Sequence, residues 1–167
     1  MKIVNFAEKN SELNRFVAEI RDIHIQQDRL RFRKNLERIG EVMSYEISKD
    51  FRYSEKLVTT PLGTARVNTA DDKIVIGTIL RAGIPYHQGF LNYFDRAENA
   101  FVSAYRKYKD KLNFEIFIEY IASPRIDGKI LILTDPMLAT GGSMEFSYRA
   151  LLTKGEPAVS YTHLTLP

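Results

Sequence analysis

The stretch from Ile130 to Ser147 constrains the fold more than any other part of this 167-residue chain. It opens with the apolar run Ile130–Leu133, breaks at Thr134-Asp135 and continues into Thr140-Gly141-Gly142-Ser143. A short apolar run closed by polar residues is typical of a buried strand, and the glycines before a serine suit a turn into a helix. Such a unit can hold a phosphate, because free N–H groups and the helix dipole face the anion. The alternative is an ordinary turn in which the glycines serve only geometry.

Other segments alternate between strand and helix patterns. Apolar or alternating runs predict strands at Ile74–Leu80, Asn99–Tyr105 and Phe114–Tyr120. Helical spacing of apolar residues predicts helices at Ser11–Arg21, from about Asp28 to Ser48 and from about Pro85 to Tyr93. Strands that alternate with helices predict an α/β fold with a parallel sheet covered on both faces.

A predicted β-arm lies between the helical leader and the first buried strand. Two strand-like segments, residues 56–60 and 64–68, are joined by Pro61-Leu62-Gly63. Their flat pattern suits contact with a partner subunit or an ordinary surface hairpin. Asp71-Asp72 follows the arm and precedes a strand, so we interpret this pair as solvated rather than as a metal site.

Three charged residues lie at predicted strand ends: Arg81, Arg106 and Asp135. Ligands of open α/β sheets bind beyond the carboxyl ends of the strands. Arginine offers a planar, permanently charged fork that matches phosphate oxygens. Taken singly, each arginine could pair with a carboxylate, and the aspartate could cap a helix. His87, inside a predicted helix, is interpreted as structural rather than as a general acid.

Composition narrows the class of protein. The chain has no cysteine, which excludes disulfides, thiolate metal sites and a cysteine nucleophile. No apolar run approaches the roughly 18 residues of a membrane span, and the first residues lack a signal-peptide pattern. The formal net charge of +3 is too small to imply nucleic acid. We therefore expect a cytoplasmic protein with no membrane partner.

The loop Asp135-Pro136-Met137-Leu138-Ala139-Thr140-Gly141-Gly142-Ser143 resembles the phosphoribosyl-diphosphate loop of the uracil phosphoribosyltransferases. Ile79-Leu80-Arg81-Ala82-Gly83 is similar to the strand-end arginine motif of that family, and Tyr105-Arg106 to its second arginine. The order and separation of the motifs agree, and the resemblance extends from about Met1 to Ala158. It implies the type I phosphoribosyltransferase fold: a parallel sheet with flanking helices, an N-terminal helical segment and a β-arm.

The resemblance implies transfer of 5-phosphoribosyl from 5-phosphoribosyl 1-diphosphate to uracil, giving UMP and diphosphate, as in pyrimidine salvage. Arg81 and Arg106 would bind the diphosphate, residues 139–143 the 5-phosphate, and Asp135 the ribose hydroxyls. Asp135 and Arg106 are the implied catalytic residues. The implied binding set is Arg81, Arg106, Asp135, Pro136, Met137, Leu138, Ala139, Thr140, Gly141, Gly142 and Ser143.

The same resemblance implies Mg²⁺ as cofactor, GTP as a candidate activator and a homodimer or higher homo-oligomer. Many phosphoribosyltransferases carry two adjacent acids at the strand end, whereas here Pro136 follows Asp135, as in the uracil branch. We therefore expect the metal to depend on the substrate and to have no dedicated set of protein ligands.

The resemblance stops after Ala158. The family places its uracil-binding segment beyond that point, and residues 159–167 do not match it. We therefore expect a phosphoribosyltransferase domain over residues 1–158, an unmatched or non-native tail over 159–167, and absence of the last part of the sheet and of the base-binding region. Such a chain should bind phosphoribosyl diphosphate weakly and turn over poorly.

Two other functions compete with this hypothesis. A protein of the same fold could bind RNA as a regulator of pyrimidine genes, through the basic segment Arg29–Arg38. That segment lacks the interleaved aromatic residues of a base-stacking surface, and we expect its arginines to form a solvated helix face. Alternatively, the base could be a different pyrimidine or a purine, which the uracil-type loop argues against.

Overall fold

The computed structural model describes residues 3–108, 114–137 and 140–163. These residues form helices α1 (Glu12–Arg21), α2 (Arg29–Ser48), α3 (Ile84–Tyr93) and α4 (Gly142–Leu152), and strands β1 (Tyr53–Thr60), β2 (Gly63–Ala70), β3 (Ile74–Leu80), β4 (Glu98–Tyr108), β5 (Phe114–Ala122), β6 (Ile130–Thr134) and β7 (Val159–His163). Short 3₁₀ segments lie at Phe6–Glu8 and Ile25–Gln27. In these parts of the chain, no helix is both long and apolar enough to cross a bilayer.

A five-stranded sheet forms the centre of the fold, in the order β5-β4-β3-β6-β7. β3 pairs in parallel with β4 and β6, and β6 pairs in parallel with β7. β5 runs antiparallel to β4. β1 and β2 form a separate antiparallel hairpin, the β-arm. The predicted α/β architecture, with a mostly parallel sheet, N-terminal helices and an arm, is confirmed.

The central strands are mostly aliphatic because helices cover both faces of the sheet. Ile76, Ile130 and Ile132 pack on the side of α1, α2 and α3. Leu131 and Leu133, which alternate with those residues along β6, pack against α4 on the other side. Successive side chains of a strand point to opposite faces, so a strand that is buried on both faces needs a continuous apolar run.

Helices α2 and α3 cross closely at two glycines, Gly40 and Gly89. A Cβ atom on Gly40 would lie 2.6 Å from the carbonyl oxygen of Tyr86 and 3.2 Å from Cα of Gly89. A Cβ atom on Gly89 would lie 2.0 Å from the carbonyl oxygen of Glu37. Gly40 costs about 1 kcal/mol of helix propensity relative to alanine, and the close contact between the two helices explains its presence.

Two segments differ from the sequence-based expectations. β4 does not end at Arg106 but runs to Tyr108, because its last residues pair with β5, with Arg106 opposite Ile116. Residues 159–163 form β7 and pair with β6 from Val159 opposite Ile130 to His163 opposite Thr134. The domain boundary after Ala158 and the assignment of 159–167 to a tail stay predictions.

Helix α2 starts at a side-chain cap that a single substitution can test. Oδ1 of Asp28 accepts hydrogen bonds from the backbone N–H groups of Leu30 and Arg31, both at 3.0 Å. We expect Asp28→Ala to lower the free energy of unfolding by about 1 kcal/mol, because these two donors lose their acceptor. Chemical denaturation measures the loss. The control is Asp95→Ala at an exposed position, and an equal loss in both variants would contradict the assignment.

Candidate active site

Strand register brings the predicted site segments to one edge of the sheet. Thr78 of β3 lies opposite Thr134 of β6 in parallel pairing, and Leu80 lies opposite Ser103 of β4. The turn that carries Arg81 and the loop that starts at Asp135 therefore leave the sheet side by side. This is the edge at which open α/β sheets bind their ligands.

The turn after β3 is tight and depends on Gly83. The N–H of Gly83 donates to the carbonyl of Ile79 at 3.2 Å, and the N–H of Ile84 donates to the carbonyl of Arg81 at 3.3 Å. A Cβ atom on Gly83 would lie 2.7 Å from both the Ile79 carbonyl oxygen and Cγ2 of Thr78. The Leu80–Arg81 peptide bond is cis. The turn leaves Arg81 exposed at the strand end, where an anion can reach it.

Asp135 is half-buried, and burial raises the pKa of its carboxyl group. The N–H of Met137 points at Oδ1 from 3.4 Å and opposes that shift only in part. No basic side chain in the described ranges forms a salt bridge with this carboxylate. A poorly solvated negative charge of this kind is stabilised by any positive charge that a ligand places beside it.

The glycine turn ahead of α4 has the geometry of an anion-binding helix start. Gly141 adopts φ +78°, the left-handed conformation that favours glycine. The first helical hydrogen bond runs from the N–H of Glu145 to the carbonyl of Gly141 at 3.0 Å. The backbone N–H of Gly142 donates to Oγ1 of Thr140 at 3.5 Å, and the N–H groups of residues 143 and 144 precede the helix-internal bonds. Leu138 and Ala139, both in the predicted binding set, lie outside the described residues.

A cavity of about 460 Å³ joins the Arg81 turn to the N-terminal helices. Its lining includes Arg81, Ala82, Pro136 and Met137, so it connects the strand-end turn with the loop after β6. Arg33 also lines this cavity, although the sequence placed it on a purely solvated helix face. Elsewhere on α2 the expected solvated face is present, with an exposed guanidinium at Arg31 that pairs with Glu19.

Arg106 lies on the part of β4 that extends past the end of β3. Its side chain is outside the described residues, so its predicted contact with a ligand stays a prediction. The strand register shifts between Ser103 and Ala104, a β-bulge at the level where β3 ends. Bulges bend a strand and redirect the side chains that follow, and this one lies shortly before Arg106.

Sequence reasoning missed a buried group of polar side chains beneath this edge. Thr78, Thr134 and His87 are 0 %, 0 % and 4 % exposed. Oγ1 of Thr78 lies 2.7 Å from Oγ1 of Thr134 and 2.5 Å from Nδ1 of His87. Nε2 of His87 lies 2.7 Å from Oδ1 of Asn99. A signal was available: each threonine interrupts an otherwise aliphatic run at the carboxyl half of its strand.

The described residues contain no group of three His, Cys, Asp or Glu side chains arranged to hold a metal ion. Asp71 instead forms a salt bridge with Lys56 of the arm, and Asp72 accepts a hydrogen bond from the N–H of Arg52 at 3.2 Å. At the sheet edge Asp135 is the acid of the predicted set. Mg²⁺ commonly binds through one or two carboxylates plus substrate phosphates, so this donor set fits a metal that is bound mainly by the substrate.

Comparison with solved structures identifies the type of fold. A structure of an Aquifex aeolicus protein superposes with a TM-score of 0.78 at 32 % identity, over 92 % of this chain and 73 % of that one. A hypoxanthine phosphoribosyltransferase from Staphylococcus aureus superposes with a TM-score of 0.54 at 15 % identity, over 79 % of this chain and 62 % of that one. The second likeness concerns the fold alone, and it confirms the type I phosphoribosyltransferase architecture.

Comparison of sequences gives the family. The uracil phosphoribosyltransferase family model matches residues 7–161. A uracil phosphoribosyltransferase from Porphyromonas gingivalis is 64 % identical over 157 residues, which cover 94 % of this chain and 73 % of that protein. One from Methanothermobacter thermautotrophicus is 42 % identical over 129 residues, covering 76 % of this chain and 59 % of that protein. This chain belongs to the uracil phosphoribosyltransferase family.

Proposed function

We propose that this protein transfers the 5-phosphoribosyl group of 5-phosphoribosyl 1-diphosphate to uracil. The bond between C1 of the ribose and the diphosphate oxygen breaks, and a bond from C1 to N1 of uracil forms. Diphosphate leaves with the electron pair of the broken bond, and the N1 proton of uracil passes to solvent. The products are UMP and diphosphate.

The parallel pairing of β3 with β6 carries the proposal. It brings the strand end that precedes Arg81 next to the strand end that precedes Asp135, and these residues would supply a cation for the leaving group and an anion for the sugar. Charge-assisted hydrogen bonds from arginine would offset the negative charge that develops on the diphosphate. The half-buried carboxylate would accept hydrogen bonds from the ribose hydroxyls and stabilise positive charge near C1, as carboxylates do in glycosidases. Catalysis would then rest on positioning and electrostatics.

The loop from Asp135 to Ser143 supplies the remaining contacts with the sugar phosphate. The N–H groups of residues 143 and 144, together with the hydroxyls of Thr140 and Ser143, would bind the 5-phosphate. Helix α4 adds the positive end of its dipole at the same place. Asp135 is the candidate protein contact for Mg²⁺ bound together with the substrate, and the metal would supply positive charge against the diphosphate.

The proposal extends to assembly and location. Exposed apolar side chains on the β-arm, among them Leu57 at 70 % and Leu62 at 100 % exposure, support a homo-oligomer formed through the arm. GTP activation and a cytoplasmic location belong to the same proposal, on the resemblance alone. The RNA-binding alternative is not supported, because the matched relatives are named as enzymes.

The direct test is UMP formation from labelled uracil with phosphoribosyl diphosphate and Mg²⁺. We expect UMP and diphosphate in equal amounts. Calorimetry of phosphoribosyl diphosphate binding, measured without a base, tests the sugar-phosphate site separately from the base site. Diphosphate release with adenine or orotate and none with uracil would overturn the choice of base, and absence of phosphoribosyl diphosphate binding would overturn the site.

Replacement of the strand-end arginine tests its role in substrate binding. We expect Arg81→Ala to weaken phosphoribosyl diphosphate binding by roughly 10- to 100-fold, because it removes charge-assisted hydrogen bonds of about 1.5–3 kcal/mol each. Calorimetry measures the change. Arg96→Ala, at an exposed position in the turn before β4, is the matched control. An unchanged affinity in Arg81→Ala would show that the diphosphate binds elsewhere.

A further inference from the structure

The buried polar side chains Thr78, Thr134 and His87 form what we call the buried hydrogen-bond chain, with Asn99 at its outer end. Two strands and the helix that follows one of them contribute these residues, and Asn99 adds a third strand, β4. The buried hydrogen-bond chain lies on the α2–α3 side of the sheet, since Thr78 alternates with Gly77 and shares a face with Ile76. The contacts measure 2.5–2.7 Å.

Stability alone does not explain polar groups at these positions. A buried hydroxyl must be hydrogen-bonded to avoid a cost of about 1–3 kcal/mol, and replacing both partners with apolar groups of the same shape can be nearly neutral. Valine matches threonine in shape and suits a strand at least as well. Apolar residues at Thr78, Thr134 and His87 together could therefore leave stability nearly unchanged, which indicates that the three polar side chains serve to fix orientation rather than to fill the core.

The buried hydrogen-bond chain connects the two segments that carry the proposed site. Thr134 immediately precedes Asp135. Thr78 contacts the Arg81 turn from below, with its Cγ2 atom 2.7 Å from where a Cβ atom on Gly83 would lie. The backbone N–H of His87 donates to the carbonyl of Gly83 at 2.8 Å. A displacement of either strand end would therefore break a contact of the chain.

One arrangement of protons satisfies all of these contacts. Nε2–H of His87 donates to Oδ1 of Asn99, so the unprotonated Nδ1 accepts from the hydroxyl of Thr78. The hydroxyl of Thr134 is shared between Oγ1 of Thr78 at 2.7 Å and the carbonyl oxygen of Gly77 at 3.1 Å. Burial lowers the pKa of the His87 ring, which keeps it in the neutral form that this arrangement needs.

We propose that Thr78, His87 and Thr134 are positioning residues, whose hydrogen-bond chain holds the Arg81 turn at a fixed distance from Asp135. The inference rests on the proposed function for its catalytic consequence. The two segments act on opposite charges of one transition state, the leaving diphosphate and the ribose ring. An error in their separation therefore acts on turnover more than on binding of the ground state.

Removal of single hydroxyls tests this inference. We expect Thr78→Val and Thr134→Val each to lower kcat by about 10- to 100-fold while KM for phosphoribosyl diphosphate changes by less than about 3-fold. Thr78→Val leaves the buried Nδ1 of His87 without a partner, so its melting temperature should fall by about 2–10 °C, and kcat is measured well below that temperature. The double variant should lose no more than the worse single variant, because residues that act as a unit are not additive. Thr78→Ser, which keeps the hydroxyl, should restore most of kcat.

Equal losses in Thr78→Ser and Thr78→Val, or additive losses in the double variant, would overturn the positioning role. So would a fall in kcat that only follows a fall in melting temperature. These outcomes separate the chain's directional role from simple packing.

Two readouts remain if the parent protein forms no UMP, an outcome that would count against the proposed function and not against this inference. In Thr78→Val, hydrogen exchange of the Gly83 and His87 amides should accelerate about 10-fold, with amides of the β-arm unchanged. Nitrogen NMR should place the ring proton of His87 on Nε2. Unchanged exchange, or a proton on Nδ1 alone, would overturn the inference.

Discussion

Asp135→Asn should lower kcat/KM for UMP formation by about 100- to 1,000-fold, the usual effect of removing one preorganised electrostatic contact from a transition state. The amide keeps the shape of the carboxylate but loses its charge. That charge is costly in the free protein, since burial raises the pKa of the carboxyl group above its ordinary value. Positive charge at C1 of the ribose would relieve this cost. An uncharged amide at the same position would not stabilise that positive charge.

The same variant separates catalysis from folding. A raised pKa means that the folded state binds the proton more tightly than the unfolded state, so the ionised carboxylate lowers stability at neutral pH. An amide at this position cannot ionise, and Asp135→Asn should therefore melt at the same temperature as the parent protein or higher. Kinetics and thermal unfolding on one preparation measure both effects. Asp95→Asn, on an exposed turn, is the control and should change neither.

The raised pKa of Asp135 also determines how turnover depends on pH. Activity requires the ionised carboxylate, so kcat/KM should fall as the pH drops through the raised pKa of Asp135. The acid limb should therefore lie above the pH expected for an ordinary aspartate. An acid limb at the ordinary position, or a comparable loss of activity in Asp95→Asn, would contradict the assignment.

Gly89→Ala should cost about 3 kcal/mol of unfolding free energy, the upper end of the usual range for overpacking. The new Cβ atom would lie 2.0 Å from the carbonyl oxygen of Glu37 and 3.0 Å from the backbone nitrogen of Glu41. Both atoms belong to the backbone of α2, which cannot yield as a side chain can. The clash outweighs the gain of about 1 kcal/mol in helix propensity that alanine would otherwise give.

Gly77→Ala is the matched control for this prediction. Its Cβ atom would meet the ends of the Leu151 and Leu133 side chains at 3.0 and 3.3 Å, and these can rotate away. Urea denaturation of both variants should show a clearly larger loss at Gly89. Equal losses would mean that the distance between α2 and α3 adjusts freely.

The sequence predicted those elements whose local pattern and burial agree. β3 and β6 are mostly aliphatic runs in a sheet covered on both faces, and α2 carries its apolar residues at helical spacing between about Asp28 and Ser48. Each of these features leaves a mark within a few residues, which is why single-sequence reasoning found them.

The missed features depend on partners far along the chain. The extension of β4 past Arg106 arises from antiparallel pairing with β5, which local periodicity does not encode. The buried hydrogen-bond chain was missed because Thr78 and Thr134 pair across 56 residues of sequence, and because threonine is common in strands for other reasons. Thr78 and Thr134 come into contact only because β3 and β6 pair in this register.

The parallel register of β3 with β6 also determines where this fold can change length. A one-residue insertion in either strand would reverse which side chains face α3 and which face α4 beyond that point, and it would separate Thr78 from Thr134. The β-arm has no such restriction at its tip, because Leu62 is fully exposed and a pair of residues added there keeps the alternation of both strands. Insertions and deletions should therefore accumulate at the tip of the arm, while the two strands that carry the site keep a constant length.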